Sequence, residues 1–379
     1  MKRHDVIVVG AGPIGSYTAY LLAKNSLDVG IFEKNPSIGP YVNCTGIISE
    51  ECLRKFALPR EEILRTVYSL RAFSPSGKYF RYHSAVPLAH IFDRSALDHK
   101  ISRMAAEEGA SVYLDSRVEK INVTNGTFKI NVKTEGEEFL AEVVVIATGF
   151  EINYPYGQIR KPNDFLYGIQ TESEVEDVND VELYLGRRVT PGSFAWVVPT
   201  NGKSAKIGLL AKKNPAGHLK AFLQHPLLKD RVKGNNGQIK CSPIPLGMIQ
   251  KSYAERLIIV GEAAGQVKTT TGGGIYFGLL CSEIAVRTIL KAFKSKDFSE
   301  RLFREYEINW RSKIEPELKA GMALRKLFSS LSDYQIDLLI DLASKNGISL
   351  IIKKANFDWH KNLITSLLKH IFFQRHLKK

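Results

Sequence analysis

Residues 5–15 read D-V-I-V-V-G-A-G-P-I-G, and the run V29-G-I-F closes on Glu33, eighteen positions beyond Gly15. No other feature of the chain narrows its fold as much. Residues 6–9 are an apolar run of the kind that forms a parallel strand buried on both faces. Gly10 allows the tight turn that must follow. Gly12 lets the backbone approach a pyrophosphate, and Gly15 lets the new helix pack close to the strand, with its N-terminus toward the phosphates. Glu33, at the end of the second strand, can accept hydrogen bonds from ribose hydroxyls. A glycine-rich turn alone also occurs in α/β folds that bind nothing. Strand, helix and terminal acid together predict a bound dinucleotide.

The 379 residues suffice for two domains, with 44% hydrophobic and 24% charged residues, an ordinary globular balance. No apolar stretch reaches the roughly 18 residues that a spanning helix needs. The apolar run near the N-terminus is too short for a signal peptide and is already the first strand, so a cytoplasmic protein is expected. Cys44, Cys52, Cys241 and Cys281 show no C-x-x-C spacing, and the nine histidines form no H-x-x-x-H or H-E-x-x-H pattern. No disulfide framework and no metal site are expected. Cys52, Cys241 and Cys281 read as packing residues.

The net charge of +14 (53 Lys and Arg against 39 Asp and Glu) favours anionic partners or serves general solubility. No nucleic-acid motif accompanies it, and no nucleic-acid partner is expected. The excess is concentrated at the end. Residues 345–379 hold Lys345, Lys353, Lys354, Lys361, Lys369, Arg375, Lys378 and Lys379 against Asp358 alone. Leu363, Ile364, Leu367, Leu368, Ile371 and Phe372 make an apolar stripe at helical spacing opposite Lys361, Thr365, Lys369 and His376. Such a helix can lie on an anionic membrane or pack on the protein's own body; the first would make the protein peripheral on the inner face of the cell membrane.

Along the chain, residues 1–65 predict strand, helix, strand and a long loop. The runs at 69–73, 78–82 and 86–92 look like strands of a separate sheet. Asp93 caps a helix from Arg94 to Glu108, ended by Gly109. A third parallel strand at 111–114 and a hairpin turning at Asn125-Gly126 follow, before residues 142–146 return to the core. Residues 155–240 alternate in short runs, as an antiparallel sheet with one covered face does. A buried strand at 256–260 ends in Gly261-Glu262, and a helix opens near Gly274. The expected domains are a discontinuous dinucleotide domain (1–68, 94–154, 241–298), an inserted substrate domain (69–93, 155–240) and a helical region (299–379).

Five segments fit one pattern: the fingerprint with Glu33, the loop V42-N-C-T-G-I-I-S, the helix start D93-R-S-A-L-D, A147-T-G, and V260-G-E-A-A-G-Q-V-K-T-T-T-G-G-G-I275. Together they resemble the flavoprotein group containing p-hydroxybenzoate hydroxylase, and within it the geranylgeranyl reductase family, over roughly residues 1–320. The resemblance implies an α/β fold: a Rossmann-like FAD-binding domain interrupted by an antiparallel-sheet substrate domain, with a helical C-terminal region.

It also implies FAD as the cofactor. Gly272, Gly273, Gly274 and Ile275 then bring a helix N-terminus to the flavin ring, where its dipole favours negative charge. Glu262 stands where the family usually has Asp, on the ribityl chain or the adjacent sugar. Arg94 reaches the pyrophosphate side, while Ile14 and Val118 mark positions whose backbone touches pyrophosphate and adenine. Cys44, Thr45 and Ile47 belong to a loop over the isoalloxazine, Cys44 being the candidate proton donor. Phe194, Trp196 and Pro199 match in part the family's Y-x-W-x-F-P segment and would wall an apolar tunnel for an isoprenoid chain.

The expected activity is FAD-dependent saturation of carbon–carbon double bonds in geranylgeranyl chains, on archaeal-type lipids or their diphosphate precursors. Ferredoxin, NADPH and a quinol-linked donor all remain open as the source of electrons. Two other readings stand beside it. An aromatic hydroxylase of the same group usually carries a D-G motif shortly after the A-T-G strand, and residues 149–157 have none. A non-catalytic electron carrier or lipid-binding module is the third.

Overall fold

A computed structural model of the chain describes residues 2–123, 130–134, 137–150, 162, 164–234, 237–345 and 356–366. The expected Asn125-Gly126 turn, most of the 149–157 stretch, Lys353, Lys354 and the tail from Leu367 onward, including Leu368, Lys369, Ile371, Phe372 and His376, lie outside the described residues. The chain folds into two units. The first comprises Met1–Val42, Arg94–Asp164 and Pro245–Pro316; the second comprises Asn43–Asp93, Phe165–Ile244 and Glu317–Lys379.

The first unit is built on a sheet with eight strands among the described residues. Lys2–Val9 lies at its centre, parallel to Glu138–Ile146 on one side and Val29–Phe32 on the other. Ser111–Tyr113 and Leu257–Ile259 extend the parallel order outward. Val6, Ile7 and Val8 have no exposed surface, and each such side chain stabilises the fold by about 1.5–3 kcal/mol. The strand order reverses at the C-terminal end of Lys2–Val9, where α/β sheets open a ligand crevice. Helix Pro13–Lys24 starts there with proline in its first turn, a position that needs no N–H. It crosses helix Ile275–Ser295 closely: a Cβ on Gly278 would stand 2.4 Å from Ile14 Cδ1, and Thr18 Oγ1 donates to Ser282 Oγ at 2.9 Å.

In the second unit, Phe165–Val175, Val181–Leu185, Phe194–Pro199 and Ser204–Ala211 form the body of another sheet, with eight strands among the described residues. Its odd-numbered positions, Ile169, Ala195, Val197, Ile207 and Leu209, pack with Leu219 and Phe222 of helix Pro215–Leu223 into one core. These four strands pair antiparallel with one another, and Val181–Leu185 also runs parallel to Ser69–Phe73; a long intervening chain makes that crossover possible. Two buried acids brace the sheet. Asp180 accepts from Ser69, from Arg71 Nε at 2.5 Å and from Arg81 at 3.1 Å. Glu182 takes Arg231 at 2.9 Å and Tyr184 Oη at 2.7 Å.

Three details depart from the sequence expectation. The long loop before residue 65 contains strand Ile47–Ile48, helix Glu50–Lys55 and strand Ile63–Val67. The two strands flank Ala89–Phe92 in a three-stranded sheet, which assigns residues 43–68 to the second unit. Helix Glu300–Ser330 divides between the units at Pro316, because Phe303, Tyr306, Trp310 and Ile314 are fully buried. Cys241 is exposed rather than packed, whereas Cys52 and Cys281 are buried; its strand, Lys240–Pro245, pairs with Phe165–Val175 away from the main strand path.

Candidate functional site

The glycine turn of the first unit is shaped by contacts that only glycine allows at two positions. Gly10 has φ +105°, and a Cβ there would meet Ala147 O at 2.6 Å; a Cβ on Gly15 would stand 1.9 Å from Gly10 O. Gly12 differs: among the described residues its added Cβ meets nothing within 4 Å. As N-cap of helix Pro13–Lys24 it offers no side-chain cap. Open space before an uncapped helix start is what an anion-binding cradle requires.

Glu33 closes one side of this cradle. Its Oε2 accepts from Ala11 N–H at 3.0 Å, and its Oε1 accepts from Asn35 N–H at 3.0 Å and Asn35 Nδ2 at 2.6 Å. The acid expected to serve a ribose thus also ties the glycine turn to the end of the second strand. Carboxylate oxygens carry about four acceptor sites in all, so these three bonds leave capacity for a ligand hydroxyl. Ile14 turns its side chain onto Gly261 and Gly278, leaving only its backbone for a ligand. Val118 packs partly buried against the core that includes Phe32 and Phe139.

Across the sheet end, Gly261–Ala264 forms a short 3-10 turn. Gln266, fully buried, holds it: Gly261 N–H donates to Gln266 Oε1 at 2.7 Å, and Gln266 Nε2 donates to Tyr306 Oη at 2.8 Å. Glu262 is partly exposed but densely surrounded by protein. That burial raises its pKa, while the Arg94 guanidinium and the Phe150 N–H oppose the shift. Arg94 heads helix Arg94–Glu107 and forks onto Asp98, with Nη2 at 2.8 and 3.1 Å from its two oxygens, both residues buried. The anion that compensates Arg94 is therefore partly internal. Asp98, missed in the sequence reading, was visible as the acid one turn along in R-S-A-L-D.

The second glycine run makes a compact turn. Gly272 N–H donates to Lys268 O at 2.8 Å and Lys268 N–H to Gly273 O at 2.9 Å. Gly274 then caps helix Ile275–Ser295 without a side-chain bond. A Cβ on Gly274 would lie 3.5 Å from Glu262 Oε1, and one on Gly273 would lie 3.0 Å from Lys268 Cε. Lys268 is buried (8% exposed) and was also missed; a charged residue between Val267 and a run of threonines was its signal. Glycine turns, uncapped helix starts, Glu33, Glu262 and Arg94 together suit the diphosphate, sugars and ring of a dinucleotide.

The Cys44 loop and the aromatic segment both belong to the second unit. Asn43 Nδ2 donates to Gly168 O at 2.9 Å, Thr45 Oγ1 to Gln170 at 3.3 Å, and Lys206 Nζ to Thr45 O at 3.1 Å. Gln170, Gly208 and Trp196 are successive register partners. Their even-numbered positions share one sheet face, which the 43–47 loop covers. Phe194 and Trp196 stand there with ring centroids 6.0 Å apart. The Trp196 ring crosses Gly208, where a Cβ would meet it at 2.5 Å. Ile47 and Trp196 pack against one cluster of Val67, Ala89, Ile91, Val181 and Val198. Trp196 Nε1 is buried with no hydrogen-bond partner among the described residues. Pro199 is not brought to this face; it is odd-numbered and pairs with Ala205, beside Val197 and the core. Cys44 is partly exposed and free.

Residues 4–189 match the family described as pyridine nucleotide-disulphide oxidoreductase. The chain is 33% identical to the digeranylgeranylglycerophospholipid reductase of Methanocaldococcus jannaschii, with 97% of each chain covered. It is 30% identical to digeranylgeranylglycerophospholipid reductase 2 of Methanothermobacter thermautotrophicus, covering 92% of this chain and 95% of that one. Among solved structures, a geranylgeranyl bacteriochlorophyll reductase-like protein from Thermoplasma acidophilum matches with a TM-score of 0.85 at 25% identity, over 97% of this chain and 99% of the other.

Proposed function

The chain belongs to the digeranylgeranylglycerophospholipid reductase family, and from that premise we propose that it saturates carbon–carbon double bonds of geranylgeranyl chains, in archaeal-type lipids or their diphosphate precursors. It is an FAD-dependent oxidoreductase. In this reading the backbone at Gly12 and the start of helix Pro13–Lys24 take the pyrophosphate, Glu33 the adenosine ribose, and Arg94 and Glu262 the groups between pyrophosphate and ring. Reduced FAD supplies the hydride for one alkene carbon. The chain's own contribution follows from what an isolated alkene lacks. It has no polarised group for strong acid–base catalysis, so orientation and exclusion of water carry the work. The start of helix Ile275–Ser295 at Gly274 favours negative charge before it. The Cys44 thiol is assigned the proton for the second alkene carbon.

What supports this assignment most is the shared sheet face of the second unit, where the Cys44 loop covers the row that holds Phe194 and Trp196. An apolar wall beside a proton-bearing side chain suits a chain alkene better than a polar aromatic. Among the described residues no helix is long and apolar enough to cross a membrane; a lipid substrate then calls for peripheral contact with an anionic membrane surface. The test of the activity is anaerobic. Chemically reduced protein is mixed with a detergent-dispersed geranylgeranyl lipid or with its saturated counterpart. Flavin absorbance should return with the unsaturated lipid alone; equal return with both, or none with either, would refute the reading.

A further inference from the structure

Helix Asp333–Lys345 carries apolar residues on two faces. Toward the rest of the second unit it turns Ile336 and Ile340, both buried, and three aspartates spaced one turn apart. Asp333 Oδ1 accepts from Arg187 N–H at 2.7 Å; Asp337 Oδ1 accepts from Ser76 N–H at 3.0 Å and Ser76 Oγ at 2.7 Å; Asp341 Oδ2 takes Lys78 Nζ at 2.7 Å. The opposite face carries Tyr334, Leu338 and Leu342 at i, i+4 and i+8, with Leu339 beside them. They are 71%, 42%, 45% and 36% exposed, respectively. A surface helix ordinarily buries its leucines and shows its acids to water. Here Ile336, Ile340 and the acids dock the helix, and the leucines are left outward.

Cations border this face. Arg187 and Arg188 are exposed beside its N-terminal end, and the Arg187 guanidinium holds Ser330 O and Leu331 O at the end of the preceding helix. In that helix's last turns, exposed Lys326 adjoins Leu327, itself 47% exposed. The helix's own aspartates are engaged inward, so the outward surface is apolar, with the exposed cations Arg187, Arg188 and Lys326 at its N-terminal margin. That combination complements an anionic bilayer, whose headgroups take the cations and whose acyl boundary takes the leucines.

We propose that this face is the membrane-contact surface of the protein, with Tyr334, Leu338, Leu339 and Leu342 seated at the acyl boundary and Arg187, Arg188 and Lys326 at the phosphates. The proposal rests on the peripheral-membrane reading above and moves the contact from the basic tail to residues 333–345.

The test uses full-length, FAD-loaded protein floated with vesicles of phosphatidylglycerol and phosphatidylcholine, against phosphatidylcholine alone. Leu338→Gln with Leu342→Gln alters exposed positions and should lower the partition coefficient about tenfold, since two half-exposed leucines lose their burial. Leu338→Trp should give emission that shifts to the blue on anionic vesicles and is quenched by brominated lipid chains. Deleting residues 367–379 should leave most flotation intact. Wild-type flotation by the double variant, or an unshifted Leu338→Trp emission, overturns the proposal. If the deletion alone abolishes flotation, the contact belongs to the tail, and the membrane reading survives without this face. If the intact protein does not float on anionic vesicles, both fall. A vesicle-free dimer that the double variant converts to monomer assigns the face to a second copy and likewise overturns the proposal.

Discussion

Gly12→Val separates binding from folding, because the two fingerprint glycines on either side of the helix start meet different surroundings. Gly12 has φ −68° and ψ 178°, a backbone that any residue adopts, and its added Cβ meets no atom of the described residues within 4 Å. The apo protein should therefore lose no more than about 1 kcal/mol, the difference between glycine and valine at an N-cap. The same side chain fills the space assigned to the pyrophosphate, so FAD affinity should fall by at least about a hundredfold, or roughly 2.7 kcal/mol. At a concentration 100 times its Kd, FAD stabilises the native protein by about 2.7 kcal/mol, and the variant should lack that gain. Gly15→Ala is the contrast. Its Cβ would stand 1.9 Å from Gly10 O and 3.2 Å from Ala147 Cβ, which costs about 3 kcal/mol in the apo protein itself. Flavin fluorescence titration and thermal melts with and without FAD read both quantities. Wild-type FAD affinity in Gly12→Val, or an apo melting point as low as that of Gly15→Ala, would refute the reasoning.

Cys44→Ala should keep its flavin and reduce fewer double bonds per unit time, since its loop belongs to the unit that holds Trp196 and not to the one that holds the glycine cradle; unchanged rate and product distribution would make Cys44 a packing residue. Acid stability should depend on Glu50, whose hydrogen bond from Arg60 (2.5 Å), helped by His90 (2.8 Å), holds its pKa down to about 2. A depressed carboxylate stabilises the fold above its unfolded value, near 4.5, and loses that contribution as pH falls from there through 2. Arg60 is half exposed, so solvent screens the pair and keeps the effect small; Glu50→Gln should flatten the fall of urea stability across this window, and a slope equal to wild type would contradict the pairing. Deleting residues 361–379 should lower the melting temperature. Ile364 is buried at 5% exposure, and Glu317 anchors the N–H groups of His360 and Lys361 at 2.9 and 2.8 Å, so the deletion costs about 2 kcal/mol or more; a melt identical to that of the full chain would mean that this turn is not docked.

The parts of the fold that were readable are those where local chemistry and burial agree. Residues 6–9 are apolar because both faces of a central parallel strand are covered, and Gly10 and Gly15 are glycines because Ala147 O and Gly10 O leave no room for a Cβ. Glu262 and Gly274 were found together because the turn that joins them is continuous in sequence. Gln266 and Tyr306 escaped notice because their hydrogen bond spans forty positions, and nothing near either residue signals it. The face of the Cys44 loop depends on the register of Gln170, Gly208 and Trp196, which is set by long-range pairing. Pro199 was misplaced for the same reason, one residue's parity deciding the face. Helix Glu50–Lys55 was legible and missed: Ser49 caps it, accepting from Cys52 N–H at 3.0 Å, with two acids in its first turn and two cations in its last.

The central claim is that this chain adds hydrogen to isoprenoid double bonds, and mass spectrometry of the lipid tests it most directly. Purified, FAD-loaded protein is reduced chemically without oxygen and given a geranylgeranyl diether lipid. The account predicts products heavier by successive pairs of hydrogens, with none from Gly12→Val protein. A lipid of unchanged mass, beside flavin that has been reoxidised, would contradict it.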